Sequence, residues 1–535
     1  MAQATDTPVL SSPLIPSTVI PSTVPDLSTH QLIHDKIRGW LRQQAGVRLD
    51  RIDYDASLFE LGLDSIGVAT IAGELEEATG KTLNPELVYE LATINELAGY
   101  LDSLRPAAAG PAARAGTVHS AAAAAAAETA AAAAPAAREA TNLLEHYERL
   151  NRRVRAVKEM GLYFFETEIS RHDGAWVVVD GKRMLMLGSY EYLGLLGHHH
   201  LQQAATAALA EFGTGHHGSR LLTGTTSVHR QLEAKLAQFM QAEDAIVFSS
   251  GYVTNLATIS TLVGRGDCIV GDQWNHASIV DGCRISGAEL LTFPHNDMDG
   301  LAECLEQAAG RRTLVVVDAI FSMDGDIVNL PTVVELCKKH QALLMVDEAH
   351  SLGVLGKTGR GIQEHFGLDP NDIDVKMGTL SKTLAGSGGF VAAREEITTF
   401  LRHHARGYIF SGALPASQAS VAVAALEVLE REPELVTRLW ENLDHYLTGL
   451  QDLGFDTAGS VTPIVPVMTR NDEITLEMTR LCRAEGLLVI PVVFPAVPMD
   501  APRLRTCISS IHTSDEIDFA LEVLARAGRK TRLIP

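Results

Sequence analysis

Between residues 244 and 393 the chain repeats one pattern: a short apolar run, a turn, then a longer stretch with apolar residues at helical spacing. The runs fall at 245–248, 268–271, 290–293, 314–318, 343–347, 375–378 and 389–392. Runs this short and this uniformly apolar suit strands covered on both faces. Strands of that kind separated by helices predict an α/β domain with a mostly parallel sheet and helices on both sides. Before the repeat, the spacing predicts a helix over 143–158. A hairpin follows over 174–187 and turns at Asp180-Gly181. After about Pro415 the chain turns helical. From about residue 425 it enters a small α+β subdomain, with strands expected near 464–468, 488–492 and 505–509.

A chain of 535 residues exceeds what one hydrophobic core organises, so further domains are expected. Residues 1–28 are rich in Pro, Ser and Thr and hold the tandem repeat Ile15-Pro-Ser-Thr-Val then Ile20-Pro-Ser-Thr-Val24. That composition predicts a disordered leader. Residues 29–104 read as a compact unit of four helices, over 31–44, 67–79, 85–91 and 93–104. Residues 105–140 are mostly alanine, broken by Gly110, Pro111, Gly116 and Pro135, and predict a partly helical tether. The large domain is then 141–535.

The net charge of -22 argues against a nucleic-acid surface. The six cysteines are scattered without a CxxC pair, which predicts free thiols in a reducing cytoplasm and no metal site. Neither a signal peptide nor an apolar run long enough to span a bilayer is evident.

One lysine stands apart. Gly378-Thr-Leu-Ser-Lys-Thr-Leu-Ala-Gly-Ser-Gly-Gly389 sets Lys382 among small and hydroxyl-bearing residues after a strand. A lysine held there can lose its proton and condense with an aldehyde. Asp347 closes the preceding strand, 35 residues upstream. Paired with a pyridinium nitrogen, it would keep a ring electron-poor. Pyridoxal phosphate is the aldehyde that makes use of both groups.

Val346-Asp-Glu-Ala-His350 followed by Thr379-Leu-Ser-Lys382 resembles the alpha-oxoamine synthase family, over roughly 145–530. Its members include 8-amino-7-oxononanoate synthase and serine palmitoyltransferase. The resemblance implies a fold-type I pyridoxal-phosphate transferase. Catalysis would fall to Lys382, His276, Asp347 and His350. Ser250, Gly251 and Tyr252 would cradle the phosphate and Thr379 would add to it. His276 would stack on the ring, while Ser322 and His350 would approach the ring hydroxyl. Arg505 would bind the substrate carboxylate, and Arg220 a carboxylate or the domain interface. A homodimer is implied, with 408–415 near the partner's site. Two positions depart from the family: many members have Asn at Tyr190 and Thr at Gly412. The latter change removes a hydroxyl that donates to phosphate. His216 and His217 are extra.

In the helical unit, Leu61-Gly-Leu-Asp-Ser-Ile66 resembles the 4'-phosphopantetheine attachment site of acyl carrier proteins. Asp64 and Ser65 stand at an expected helix N-terminus, reachable by a phosphopantetheinyl transferase. Glu74, Glu76 and Glu77 make the next helix electronegative. The resemblances together imply decarboxylative condensation of an L-amino acid with an acyl thioester held on Ser65. An acyl-loading enzyme would fill the arm, and secondary-metabolite biosynthesis would be the setting. Three readings stand beside it: lipid synthesis from free acyl-CoA, an aminotransferase releasing a 2-oxo acid, and a non-catalytic carrier or scaffold.

Overall fold

The computed structural model describes residues 143–494 and 496–535, together with Ile33, Lys36, Leu75, Ile94, Leu97, Ala98 and Leu101. Ser65, the 1–28 leader and the 105–140 tether lie outside the described residues. The chain divides into two units, 1–140 and 141–535. In the first, Ile94, Leu97, Ala98 and Leu101 are helical and buried, which is the spacing of one apolar helix face. Ile33 and Leu75 are also helical and buried, within two further stretches read as helices.

The second unit is organised on a seven-stranded sheet. Its strands are β4 (Asp244–Phe248), β5 (Cys268–Asp272), β6 (Glu289–Phe293), β7 (Thr313–Asp318), β8 (Leu343–Asp347), β9 (Val375–Thr379) and β10 (Gly389–Ala393). They lie in the order β4-β10-β9-β8-β7-β5-β6. β10 runs antiparallel to both neighbours, and the other pairings are parallel. Alternate side chains divide between two apolar layers. Ile246, Ile269, Leu314, Val316, Met345 and Met377 pack with Ala257 and Ile259 of the helix Gly251–Leu262. Val247, Val270, Val315, Val317 and Val346 enter the larger core on the opposite face. The chain moves outward from β5 to β6 and then returns to lay β7 on the other side of β5. Such a reversal opens a crevice at the carboxyl ends of the strands.

Two smaller sheets flank this body. β1 (Arg171–Asp173), β2 (Trp176–Val179) and β3 (Lys182–Met186) form a meander. The β2–β3 turn sits at Asp180 (φ 50) and Gly181 (φ 74), where the sequence places it. The sequence does not reveal that β12 (Leu487–Leu488) joins β3 in parallel, tying the hairpin to the C-terminal subdomain. The third sheet orders β11 (Ile464–Met468), β14 (Arg503–Cys507) and β13 (Ile490–Val492). β14 begins two residues before the expected 505–509. The earlier start places Arg503 and Arg505 within the strand, two apart and on one face. Among the described residues no helix is long and apolar enough to cross a membrane, and no cluster of His, Cys, Asp or Glu could hold a metal ion.

Candidate active site

Lys382 follows β9 in the loop that returns to β10. Its Nζ lies 2.7 Å from Nε2 of His350, whose Nδ1 lies 2.6 Å from the hydroxyl of buried Tyr192. Burial lowers the pKa of Lys382 against the pull of Asp347 and Asp318, and with help from Arg505 brings it to about 8. Burial, then Lys382, Arg505 and His276, hold His350 well below the usual histidine range. A neutral imidazole therefore bridges an easily deprotonated amine and a phenol that burial pushes far up. At pH 7 roughly a tenth of amines with a pKa near 8 are neutral, against roughly four in ten thousand for an ordinary lysine. The rate at which apoprotein captures pyridoxal phosphate should therefore rise with pH and level off above about 8. Stopped-flow absorbance over pH 6–10 checks this; a rate still climbing steeply at pH 10 contradicts it.

The glycines of the lysine loop serve close approach. A Cβ on Gly389 would stand 2.4 Å from Thr254 Oγ1 and 2.9 Å from the backbone nitrogen of Gly251. One on Gly251 would stand 2.9 Å from Thr379 Oγ1. β9, β10 and the N-terminus of the helix Gly251–Leu262 thus meet almost backbone to backbone. Ser250 caps that helix, its Oγ accepting from the Val253 amide at 3.2 Å. Thr379 Oγ1 donates to the Gly388 carbonyl at 3.1 Å and lies 2.8 Å from Ser381 Oγ.

Facing the lysine, Asp347 ends β8. Its Oδ2 accepts from Asn255 Nδ2 at 2.7 Å and its Oδ1 from the Ala349 amide at 2.9 Å. Asn255 also donates to Ser278 Oγ at 2.9 Å, and that oxygen lies 2.7 Å from Nδ1 of His276. The His276 amide donates to Asp318 at 2.8 Å. Burial, then Asp347, hold the Asp318 carboxyl well above the carboxylate range. Asn255, Ser278, Asp318 and Tyr192 were missed in the sequence. Their signals were present: Asp318 ends β7 as Asp347 ends β8, Asn255 lies one turn after Gly251, and Ser278 follows His276 by two residues.

Lys382, His350, Asp347, Asn255, Ser278 and Asp318 help line a cavity of about 280 Å³, with Tyr192 behind His350. Ser250, Gly251 and Tyr252 reach it from one strand-to-helix turn and His276 from another. Ser322, Asp347 and His350 complete the wall, with Thr379 and Lys382 from β9 and its loop. Arg505 is buried beside it, its Nε donating to the Ser322 carbonyl at 2.8 Å and its Nη1 to Cys507 Sγ at 3.2 Å.

Other expected positions sit elsewhere. Arg220 is buried against Glu233 at 2.8 Å and the Val247 carbonyl at 3.3 Å, so it clamps the helix Ser227–Phe239 to β4. Gly412 packs on His216, whose Cε1 and Nε2 would each lie 2.5 Å from an added Cβ. The extra histidine fills the space a threonine would need. The Tyr190 ring centroid lies 6.0 Å from Lys382 Nζ.

Residues 182–524 match the family model for class I and II aminotransferases, and residues 35–101 match the phosphopantetheine attachment site. The chain is 42% identical to an 8-amino-7-oxononanoate synthase of Symbiobacterium thermophilum, over 71% of this chain and 97% of that protein. The chain belongs to the alpha-oxoamine synthase family. A second family member, the serine palmitoyltransferase of Sphingobacterium spiritivorum, is also 42% identical, over 71% of this chain and 95% of that protein. A solved serine palmitoyltransferase carrying pyridoxal phosphate superposes with a TM-score of 0.72 at 35% identity, covering 74% of this chain and all of that one. As in other alpha-oxoamine synthases, the cofactor is pyridoxal phosphate, and the residues present fit it. A capped helix N-terminus suits the phosphate. The buried carboxylate of Asp347 suits the ring nitrogen, and the Lys382 amine suits the aldehyde. Asn255 Oδ1 is buried without a partner in the same wall.

Proposed function

We propose that the chain condenses an L-amino acid with an acyl thioester carried on Ser65, releasing an α-aminoketone, carbon dioxide and a free thiol. What carries the reading is the placement of Lys382 and Asp347 in one small cavity beside a helix N-terminus. Bound there, pyridoxal phosphate supplies a ring that withdraws electrons from the amino acid's Cα. Ser250, Gly251, Tyr252 and Thr379 would hold the phosphate. His276 would support one face of the ring, and Asp347 would keep its nitrogen protonated. Lys382 supplies the amine that holds the cofactor and afterwards the base that takes the Cα proton. His350 lies within hydrogen-bond reach of that amine, and the Tyr192 hydroxyl on its other nitrogen fixes the imidazole, so a neutral ring orients Lys382 towards Cα. Arg505 holds the amino acid's carboxylate, which orients the bond to be broken.

The domains assigned to this work are the carrier at 29–104, the tether at 105–140 and the synthase at 141–535, acting as a homodimer. A phosphopantetheinyl transferase primes Ser65 and an acyl-loading enzyme charges the arm. The fused carrier favours secondary-metabolite biosynthesis. The six buried free cysteines fit a reducing cytoplasm.

The match to a serine palmitoyltransferase supports a second reading, with a long-chain donor arriving as free acyl-CoA. One experiment separates the readings. The primed carrier is loaded with an acyl group, offered a panel of amino acids, and followed for product and carbon dioxide. One carbon dioxide per aminoketone is expected. A 2-oxo acid without carbon dioxide would show an aminotransferase, and equal turnover of free acyl-CoA would favour the second reading.

A further inference from the structure

Residues 321–327 carry Ser322 into the cavity and are held from two sides. From the small subdomain, Arg503 Nη1 donates to Asp324 at 2.5 Å and to the Met323 carbonyl at 3.1 Å, beside the Arg505 contact to Ser322. Thr462 Oγ1 donates to the Gly325 carbonyl at 2.8 Å. From the sheet side comes the turn after β6. There His295 Nδ1 lies 3.1 Å from Asp272 Oδ1, at the end of β5, and Nε2 lies 2.9 Å from Asp326 Oδ2. The next residue repeats the bridge. The Asn296 amide donates to Asp272 Oδ2 at 2.7 Å, and its side chain donates to the Ile327 carbonyl at 3.1 Å.

The imidazole is boxed in. It stacks on Trp274 with centroids 3.8 Å apart and meets the Phe321 ring edge-on at 4.3 Å. Its charged neighbours are Asp272 from β5 and Asp326 from the loop. Burial would lower its pKa, but hydrogen bonds and charge from these two carboxylates outweigh burial and carry it to about 9. At neutral pH the bridge is therefore a cation donating to both carboxylates. Trp274 leads directly to Asn275 and His276, so one ring fixes both the His276 side and the Ser322 side of the cavity.

We propose that His295 is a positioning residue: it pins the 321–327 loop against the end of β5 and so sets where Ser322 and the Arg505 guanidinium stand for the incoming amino acid. The proposal rests on the reading that Arg505 takes the carboxylate. His295 does not line the cavity, so its loss should appear in amino-acid affinity before it appears in turnover.

The sign of the pH effect follows from the raised pKa. In the folded protein the bridge keeps its charge through neutral pH and loses it as pH rises through about 9. The test measures amino-acid Kd from the absorbance change of the holoenzyme, for the parent and for His295→Gln, over pH 6.5–10. At pH 7 the variant should bind about tenfold or more weakly, with kcat within about threefold of the parent. The ratio of the two Kd values should fall towards one above pH 9, where the parent loses its own charge. Titration of Lys382 and of the amino acid is common to both proteins and cancels in the ratio. A ratio near one at pH 7, or one independent of pH, overturns the proposal. A parent that binds no amino acid overturns the Arg505 reading instead. Should the glutamine variant not fold, Asp326→Asn keeps the imidazole and removes one carboxylate. The alkaline loss of affinity should then move to lower pH by about one unit; an unmoved limb overturns the proposal.

Discussion

Replacing Lys382 by alanine should remove the visible absorbance of the bound cofactor and lower turnover by about 10³-fold or more. In the proposed mechanism one side chain holds two roles, as the amine that retains the cofactor and as the base at Cα, so neither would survive its loss. The nearest substitute would be Lys376, which is also buried and has a pKa brought to about 8, mainly by burial. It cannot serve. Its Nζ donates to the Met240 carbonyl at 2.8 Å and to Gln363 at 3.1 Å, groups outside the cavity that Lys382 lines. The variant should stay folded, because alanine removes a buried amine whose charge burial opposes and leaves no opposite charge paired only to it. His350 keeps Tyr192 as a partner. The checks are an absorbance spectrum after soaking with pyridoxal phosphate, thermal unfolding, and product analysis. A folded alanine variant that still turns yellow and still makes product would end the assignment. A colourless, folded and inactive one would exclude Lys376 as a second attachment point.

Much of this site was legible because strand ends are legible. An apolar run that closes on an acid shows where the side chain must lie, at the carboxyl edge of a parallel sheet. Asp347 was placed by that logic, while His276 and the Ser250 turn were assigned by the resemblance to the family. Residues that act on these groups were harder to see. Asn255 is an interior residue of an unremarkable helix, and only the packing of that helix against β9 and β10 brings its amide to Asp347. His295 sits between Pro294 and Asn296 in what reads as a plain turn. Its role depends on Asp326, 31 residues further on. The registry of short strands was also out of reach. β12 is two residues long and joins a hairpin some 300 positions earlier, a pairing no local periodicity records. At Gly412 the sequence showed only that a hydroxyl was missing; the His216 ring against it is a tertiary fact.

Replacing Ser65 by alanine should leave the colour of the holoenzyme and its amino-acid affinity unchanged while abolishing condensation from carrier-bound acyl groups. The separation follows from where the two chemistries lie. In the proposed reading cofactor and amino acid bind among residues of the 141–535 unit, and the match to the phosphopantetheine attachment site, 35–101, lies in the 1–140 unit. Removing one hydroxyl from Leu61-Gly-Leu-Asp-Ser-Ile66 takes away the nucleophile that a phosphopantetheinyl transferase needs and adds no bulk or charge. Intact mass should show an arm on the parent and none on the variant. The size of the loss is set by effective concentration. A donor tethered to the same chain is presented at about millimolar level, so a free thioester supplied at about 10 μM would run roughly a hundredfold slower at equal intrinsic reactivity. Millimolar free acyl thioester should then restore part of the variant's rate, because the synthase site is intact. Mixing Ser65→Ala with Lys382→Ala tests the geometry of delivery, since the first keeps a working site and the second a working arm. Recovered turnover in the mixture means that an arm can serve a site on another chain, and none, once subunit exchange in the mixture is verified by mass, means that each arm serves only its own. If Ser65→Ala instead matches the parent with micromolar acyl-CoA, the carrier is not the donor, and the synthase would draw on the free pool.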